Sequence, residues 1–423
     1  MNKKALLITY YWPPAGGPGV QRWLKIVKYL PEYNIIPIVL TVDEFYASYP
    51  LIDTTLSNDI HSNTLVYKTK SFEILDFYKK LNKKKSLPAS GFSNEQGKTT
   101  FIEKIFRAIR GNLFIPDARI GWNKYAYKKA VELINEHQIT SVITTGPPHS
   151  THLIGLKLKK KFKNINWFAD FRDPWSGIFY NNMLYQTKFA KLKDKKLEQS
   201  VLCGADKIIT VGDTLKKHLL SNAPISSNKI IVIPNGFDSD DFINVKQNND
   251  TNFKITYLGT ANKLYPFNSF LEALSQLSKE GIKIEFEIIG VIDNEVNSIL
   301  SQYERCVEIK KHPYIEHQLV PEKLVNTNAL LLIIPNNPYN KLILTGKLFE
   351  YLASKKPIIG LGPVDGDASK VLAETDSGEM FGYMSVIEIK TFIKSIYNKN
   401  RVFKFENDKY SRKNQAKNIA ELL

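Results

Sequence analysis

The sequence is poor in cysteine: Cys203 and Cys306 are the two thiols among 423 residues. Two distant thiols without CxxC or Cys/His spacing argue against a disulfide framework and against a zinc site, and they fit a reducing cytoplasm. Long apolar runs are also missing. Lys and Asn interrupt every hydrophobic segment before the ~18 residues that a spanning helix needs, so no transmembrane segment is expected. The run 5–11 is too short for the core of a signal peptide and leads straight into Pro13 and Pro14, so no leader is expected either. Acidic residues are scarce relative to basic ones, 42 against 58, which leaves a formal net charge of +16. An excess of that sign implies an anionic partner: nucleic acid, phospholipid headgroups or a phosphorylated substrate. No helix-turn-helix, RNP-like aromatic pair or zinc spacing accompanies the charge, so no nucleic-acid partner is expected.

What is present is globular material, 43% hydrophobic and 24% charged. At roughly 100–200 residues per domain the length favours two domains. The first half alternates short β-branched runs at 5–10, 36–41, 64–68, 141–145, 166–170 and 207–211 with helical periodicity. Such alternation indicates a parallel sheet covered on both faces. The stretch 79–100 has no period and is rich in Lys, Ser, Asn and Gly, which predicts a mobile insertion. After a strand at 229–233 the polar segment 236–252 reads as a linker, and strands resume at 253–258, 283–289, 306–309, 329–334 and 357–361. The fold class is therefore α/β, with two Rossmann-like doubly wound domains, 1–235 and 253–400, expected to face across a cleft. A terminal segment, 401–423, is expected to return as a helix toward the first domain. No internal repeat is visible.

Basic residues concentrate before the midpoint, at Lys79, Lys80 and Lys83 to Lys85, at Lys157 and Lys159 to Lys161, and at Lys188, Lys191, Lys193, Lys195 and Lys196. The stretch 101–114 places Phe101, Ile102, Ile105, Phe106, Ile109 and Leu113 at helical spacing with Lys104, Arg107 and Arg110 between them, a basic amphipathic helix. Such a helix either covers its own core or lies on an anionic membrane surface.

Ligands of open parallel sheets bind beyond the carboxyl ends of strands, which makes the loops there the candidates. The first strand runs into a turn with Gly16, Gly17 and Gly19, where backbone amides and a helix start could approach an anion, or where the chain simply turns tightly. A dinucleotide fingerprint would need a third glycine where Arg22 stands. Leu344-Thr345-Gly346-Lys347-Leu348-Phe349-Glu350 opens a later helix. Amides of Gly346, Lys347 and Leu348 could bind a pyrophosphate, and Glu350 could accept ribose hydroxyls or merely balance the helix dipole. A P-loop is excluded because Leu348 follows Gly346-Lys347 and Lys341 stands where its first glycine belongs. Asp238-Ser239-Asp240 and Asp365-Gly366-Asp367 spell DxD, but the first lies incidentally in the linker, the second reads as a plain turn or as lining the donor nucleotide, and no metal is assigned.

These segments together resemble the glycosyltransferase family 4 group of GT-B enzymes over nearly the whole chain. The glycine turn resembles that group's first loop, which lines the donor phosphate and acceptor site. Thr145-Gly146-Pro147-Pro148-His149 resembles its histidine-bearing loop, and Phe168-Ala169-Asp170-Phe171-Arg172-Asp173 its acceptor-side loop. Ile233-Pro234-Asn235-Gly236-Phe237-Asp238 resembles its junction segment, Tyr257-Leu258-Gly259-Thr260 its strand-end glycine turn, and 344–353 its donor helix.

The resemblance implies a retaining transfer of sugar from a nucleoside diphosphate sugar, without metal or cofactor, to a glycan or polyprenyl-phosphate-linked acceptor. The setting implied is bacterial capsule, O-antigen or exopolysaccharide synthesis at the inner face of the plasma membrane. It assigns the donor to Gly259, Thr260, Lys263, Thr345, Gly346, Lys347, Leu348 and Glu350. Asp173 or Asp170 would accept or orient the acceptor hydroxyl's proton with His149 close by, and Arg172 would bind an acceptor phosphate. Two departures stand out: Thr260 replaces an arginine, for which Lys263 and Lys347 could compensate, and Leu342 replaces the first of two glutamates. The same fold would also serve a sugar-nucleotide epimerase, and a non-enzymatic anionic-polymer binder remains a weaker rival.

Overall fold

The computed structural model describes residues 3–72, 101–176, 184–247 and 252–423, so the insertion expected at 79–100 lies outside the described residues. The chain forms two units, 1–234 together with 412–423, and 235–411.

In the first unit β1 (Lys3–Ile8), β2 (Ile35–Val42), β3 (Leu65–Thr69), β4 (Ser141–Gly146), β5 (Asn166–Phe171), β6 (Lys207–Thr210) and β7 (Ile230–Val232) make one parallel sheet in the order β3-β2-β1-β4-β5-β6-β7. Register is set by apolar residues inward on both faces, as where Leu7 lies between Val39 and Ile143. Among the described residues of 1–234 the helices are α1 (Pro18–Tyr29), α2 (Phe101–Leu113), α3 (Asn123–His137), α4 (Ser150–Lys161), α5 (Lys188–Gly204) and α6 (Asp213–Asn222). Helix α1 begins where Gly17 takes φ 89° and Pro18 supplies a preset φ. It then buries Trp23, Ile26, Val27 and Leu30 at helical spacing.

The second unit repeats the plan with β8 (Lys254–Leu258), β9 (Glu285–Ile289), β10 (Glu308–His312), β11 (Ala329–Ile333), β12 (Ile358–Leu361) and β13 (Gly378–Phe381), in the order β10-β9-β8-β11-β12-β13. Its helices are α7 (Asn268–Lys279), α8 (Asn294–Tyr303), α9 (Val320–Val325), α10 (Gly346–Ser354), α11 (Asp367–Thr375) and α12 (Val386–Tyr397). The segment from 236, read as a linker for its polarity, is instead folded into this unit over its described part. Phe237 is buried among Leu348, Phe349 and Tyr410, and its amide donates to the Tyr410 carbonyl.

The last helix, α13 (Arg412–Leu422), belongs to the first unit. Ala416 and Ile419 join the core formed by Leu24, Val27 and Leu30, and Lys413 pairs with Glu32 at 2.7 Å. The chain thus leaves this unit after Pro234 and returns at Arg412.

In both sheets the strand order reverses once, between β1 and β4 and between β8 and β11. Carboxyl-end loops beside those reversals are where such sheets bind ligands.

One packing contact tests the first unit. Gly155 on α4 faces the indole of Trp167 so closely that an added Cβ would overlap the ring. Gly155→Ala should lower stability by about 1–3 kcal/mol through overpacking. All five tryptophans, at 12, 23, 122, 167 and 175, lie in this unit, so urea unfolding followed by indole fluorescence reads it alone. An unshifted midpoint would contradict the packing.

Candidate functional site

The centre of the first unit's carboxyl-end surface is a buried carboxylate. Asp170 is fully buried on β5; its Oδ1 accepts from Arg22 Nη2 at 3.1 Å, and its Oδ2 from Trp23 Nε1 at 2.7 Å and Thr145 Oγ1 at 2.8 Å. Arg22, equally buried, also donates to the carbonyls of Ile233 at 2.9 Å and Pro234 at 2.7 Å. The start of α1, the ends of β4 and β5 and the exit from β7 are thereby tied to one point. Asp170 offers no open oxygen to a substrate, so its expected action on an acceptor hydroxyl is corrected to a positioning place.

Arg172 laces the loops on the same surface. Its Nε donates to the Gly146 carbonyl at 3.1 Å, Nη1 to Gly19 at 2.6 Å and Nη2 to Pro147 at 2.8 Å. A guanidinium has five N–H donors, so three carbonyls do not exhaust it as an anion ligand. The amide of Gly16 donates to the Leu51 carbonyl, which takes it away from any phosphate.

His149 is 6% exposed, stacked on Trp175 with centroids 5.2 Å apart, and its Nε2 meets the Pro174 carbonyl at 3.2 Å. Burial pushes it down to about 3, against the pull of that carbonyl and with a push from Arg172, so the ring is neutral. It is a stacking element of the loop, and its Nδ1 is buried without a hydrogen-bond partner among the described residues. Asp173 is the candidate that stands open to solvent. Desolvation by the surrounding protein raises its carboxyl above the usual carboxylate range, opposed by Arg172.

Behind this loop Trp175 Nε1 donates to Asp194 at 2.7 Å and Ser176 Oγ to Glu198, both on α5. Asp117, which the sequence reading missed, caps the start of α4 by accepting from the Ser150 amide and hydroxyl, each at 2.8 Å.

In the second unit α10 starts at Gly346 beside the end of β8. Tyr351 hydroxyl accepts from the Leu258 amide at 2.9 Å and holds that helix against the strand. Lys347 Nζ reaches the Tyr257 hydroxyl at 3.1 Å, lies 4.4 Å from that ring and 5.4 Å from Tyr265, and sits against Gly259. Gly259 takes φ +128°, and Gly290 packs so close that any side chain there would overlap the Gly259 carbonyl. Burial pushes Lys347 down to about 8, with Glu350 pulling it back up. One turn on, Glu350 Oε1 meets His317 Nε2 at 3.2 Å.

The first turn of α10 carries no side-chain cap, and Thr345 Oγ1 is covered without a partner among the described residues. The Leu348 amide is engaged by the Thr345 carbonyl, so Gly346 and Lys347 offer the better amides. Thr260 and Lys263 are exposed on the loop after β8, where the Thr260 carbonyl accepts from Tyr257 and the Lys263 amide donates to Asp293. Asp365 pairs with Lys341, and Asp367 with Lys370 at 3.5 Å. Tyr257, Tyr265 and His317 were not foreseen. The only sequence signal was an aromatic two residues before the strand-end glycine.

Residues 89–241 match the family model for Glycosyltransferase Family 4. A glycosyltransferase from Rickettsia africae is similar along 99% of this chain and 94% of its own, at 14% identity and TM-score 0.59. HepE of Anabaena, solved in complex with UDP-glucose, is similar along 99% and 98% at 11% identity and TM-score 0.60. The lipopolysaccharide outer core galactosyltransferase WaaB covers 99% of each chain at 12% identity and TM-score 0.58. No curated protein matches the chain. The fold is accordingly GT-B.

The Arg22–Asp170 pair can be tested directly. Arg22→Met should cost about 3–5 kcal/mol by leaving a buried carboxylate uncompensated. Adding Asp170→Asn should recover part of that loss in a fluorescence-followed urea cycle. Strict additivity would mean that the two groups do not act together.

Proposed function

We propose that the chain is a glycosyltransferase of family 4 type that moves a sugar, with retention, from a nucleoside diphosphate sugar to a glycan or polyprenyl-phosphate-linked acceptor in bacterial surface-polysaccharide synthesis. The observation that carries the donor assignment is the uncapped start of α10, with Lys347 held against Gly259 and Glu350 one turn on. The amides of Gly346 and Lys347 and the Lys347 ammonium would take the diphosphate, and Glu350 the ribose hydroxyls. HepE in complex with UDP-glucose supports a uridine nucleotide as the first to try.

Loss of the nucleoside diphosphate builds negative charge on the leaving phosphate oxygen. Preorganised amides and a lysine stabilise that charge without rearrangement, which is where most of the acceleration would arise. On the acceptor side Asp173 is the exposed carboxylate, and we assign it to orient the attacking hydroxyl and draw off its proton. Arg172, fixed by three carbonyls, would hold an acceptor phosphate with its remaining donors. Asp170 and His149 position these groups. No metal or cofactor enters this reading. The work is assigned to the cytoplasmic face of the plasma membrane, where polyprenyl-linked acceptors are presented.

Thermal melting against a panel of nucleotide sugars identifies the donor, because a ligand bound by the folded state alone raises the melting point. Transfer is then measured with that donor. Clean epimerised sugar nucleotide formed without any acceptor would replace this reading with an epimerase.

Lys347→Met and Glu350→Gln should each raise the donor KM about 10- to 100-fold, the range for losing a hydrogen bond to a charged group, with far-UV circular dichroism unchanged. A diphosphate favours the protonated lysine, so wild-type donor binding should weaken as pH rises through about 8. Lys347→Met should lack that inflexion. Wild-type donor kinetics in both variants would remove the assignment.

A further inference from the structure

Helix α5 distributes its charges against the usual habit of a surface helix. Its acids, Asp194 and Glu198, are buried and bonded to Trp175 and Ser176, while Lys188, Lys191, Lys193, Lys195 and Lys196 are all exposed. Among the described residues none of the five has an acidic partner. Between them lie two large apolar side chains in open water, Phe189 at 75% and Leu192 at 60% exposure. At 3.6 residues per turn Leu192 stands at the centre of the outward face, with Lys188, Lys191 and Lys195 on one side and Lys193 and Lys196 on the other.

The surface continues beyond the helix. Asn112 donates to the Tyr185 carbonyl at 3.1 Å and accepts from the Thr187 amide at 2.8 Å, which fixes the end of α2 beside the start of α5. Leu113, at 73% exposure, and Tyr185, at 50%, lie on the two segments that these bonds join. On helix α2 Lys104 is exposed, whereas Arg107 is buried and Arg110 is partly covered.

We propose that the outward face of α5, with Tyr185 and Leu113, docks on an anionic lipid surface. Apolar side chains enter the headgroup boundary while flanking lysines meet lipid phosphates. Charge complementarity argues for lipid over a second copy of this chain, since two such faces would oppose lysine to lysine. The exposed apolar residue Ile387 on α12 lacks that charge: Lys390 and Lys394 on the same helix are both paired with Glu280. Through Trp175 and Ser176 the same helix holds the loop that carries Asp173, which would set a lipid-borne acceptor near it. The docking claim itself does not require the glycosyl-transfer reading.

The test is flotation of the full chain, with no donor or acceptor present, on phosphatidylcholine vesicles with and without about 30 mol% phosphatidylglycerol. Binding is expected on the anionic vesicles alone and should fall as salt rises. Phe189→Ser/Leu192→Ser should weaken it at least about tenfold, and each of Lys188→Gln, Lys191→Gln and Lys195→Gln about fivefold. The melting temperature should hold, because these side chains are exposed. Met384→Ser/Ile387→Ser, on exposed residues of the second unit, should float like wild type. Absence of wild-type flotation at low salt would overturn the proposal, as would undiminished flotation of the apolar double variant or equal loss in the control. So would a wild-type dimer, seen by sedimentation, that the apolar variant dissociates.

Discussion

A buried negative charge organises the functional surface of the first unit. Asp170 has no water to solvate it, so the fold must deliver donors to both its oxygens, and they come from Arg22, Trp23 and Thr145. An ion pair of this kind is worth little net stability against an apolar replacement, and it is costly to leave half-made. What it supplies is position. Arg22 cannot satisfy Asp170 and the carbonyls of Ile233 and Pro234 unless α1, β5 and the end of β7 keep one arrangement. Arg172 repeats the device one layer out, against Gly19, Gly146 and Pro147. Two arginines aimed at backbone carbonyls thus hold together loops that sequence places more than a hundred residues apart.

The second unit solves a different problem with less charge. The family pattern that the segment resembles has an arginine at Thr260 and a glutamate at Leu342, and both are missing here. A single lysine remains at the strand-end glycine. Lys347 lies over the faces of Tyr257 and Tyr265, which stabilise a cation while shielding it from water. The result is a cation whose proton is held less firmly than usual, and an arriving diphosphate would firm that hold. Losing one fixed arginine therefore makes charge at the site more dependent on its ligand. His317 offers a parallel adjustment, since its contact with Glu350 orients the one carboxylate that remains.

Much of this was legible in the sequence because it rests on periodicity and punctuation. Near-continuous apolar runs gave twelve of the thirteen strands among the described residues approximately, and glycines after them marked Gly17 and Gly259, both of which take positive φ. Strand β13 escaped because Gly378-Glu379-Met380-Phe381 has no β-branched residue and forms by pairing with β12. The segment after 236 misled because polarity marks both linkers and short turns, and the burial of Phe237 depends on partners over a hundred residues away. Candidate site positions stood out where a helix start or glycine turn announced them, as at Gly346 to Glu350. Asp170 and Asp173 could not be told apart, since three positions on a strand end decide burial only once neighbouring strands are in place. His317 and Tyr265 carry no local mark at all.

Helix α5 breaks a local rule that most helices obey. It has no acidic residue in its first turn and starts with Lys188 and Lys191 at the positive end of its own dipole, where cations are disfavoured. Its capping group, Thr187, accepts from the Ala190 amide and contributes no charge. Two acids that could have balanced the lysines are turned inward instead, and burial raises Asp194 to about 6. Local preferences are normally violated where something else is gained. Inward, the gain is visible: Asp194 and Glu198 hold the Trp175-Ser176 loop beside Asp173. Outward, an unbalanced row of lysines around Phe189 and Leu192 raises the cost of the helix in water and lowers it against an anionic surface. A helix designed only to cover its own sheet would need neither feature.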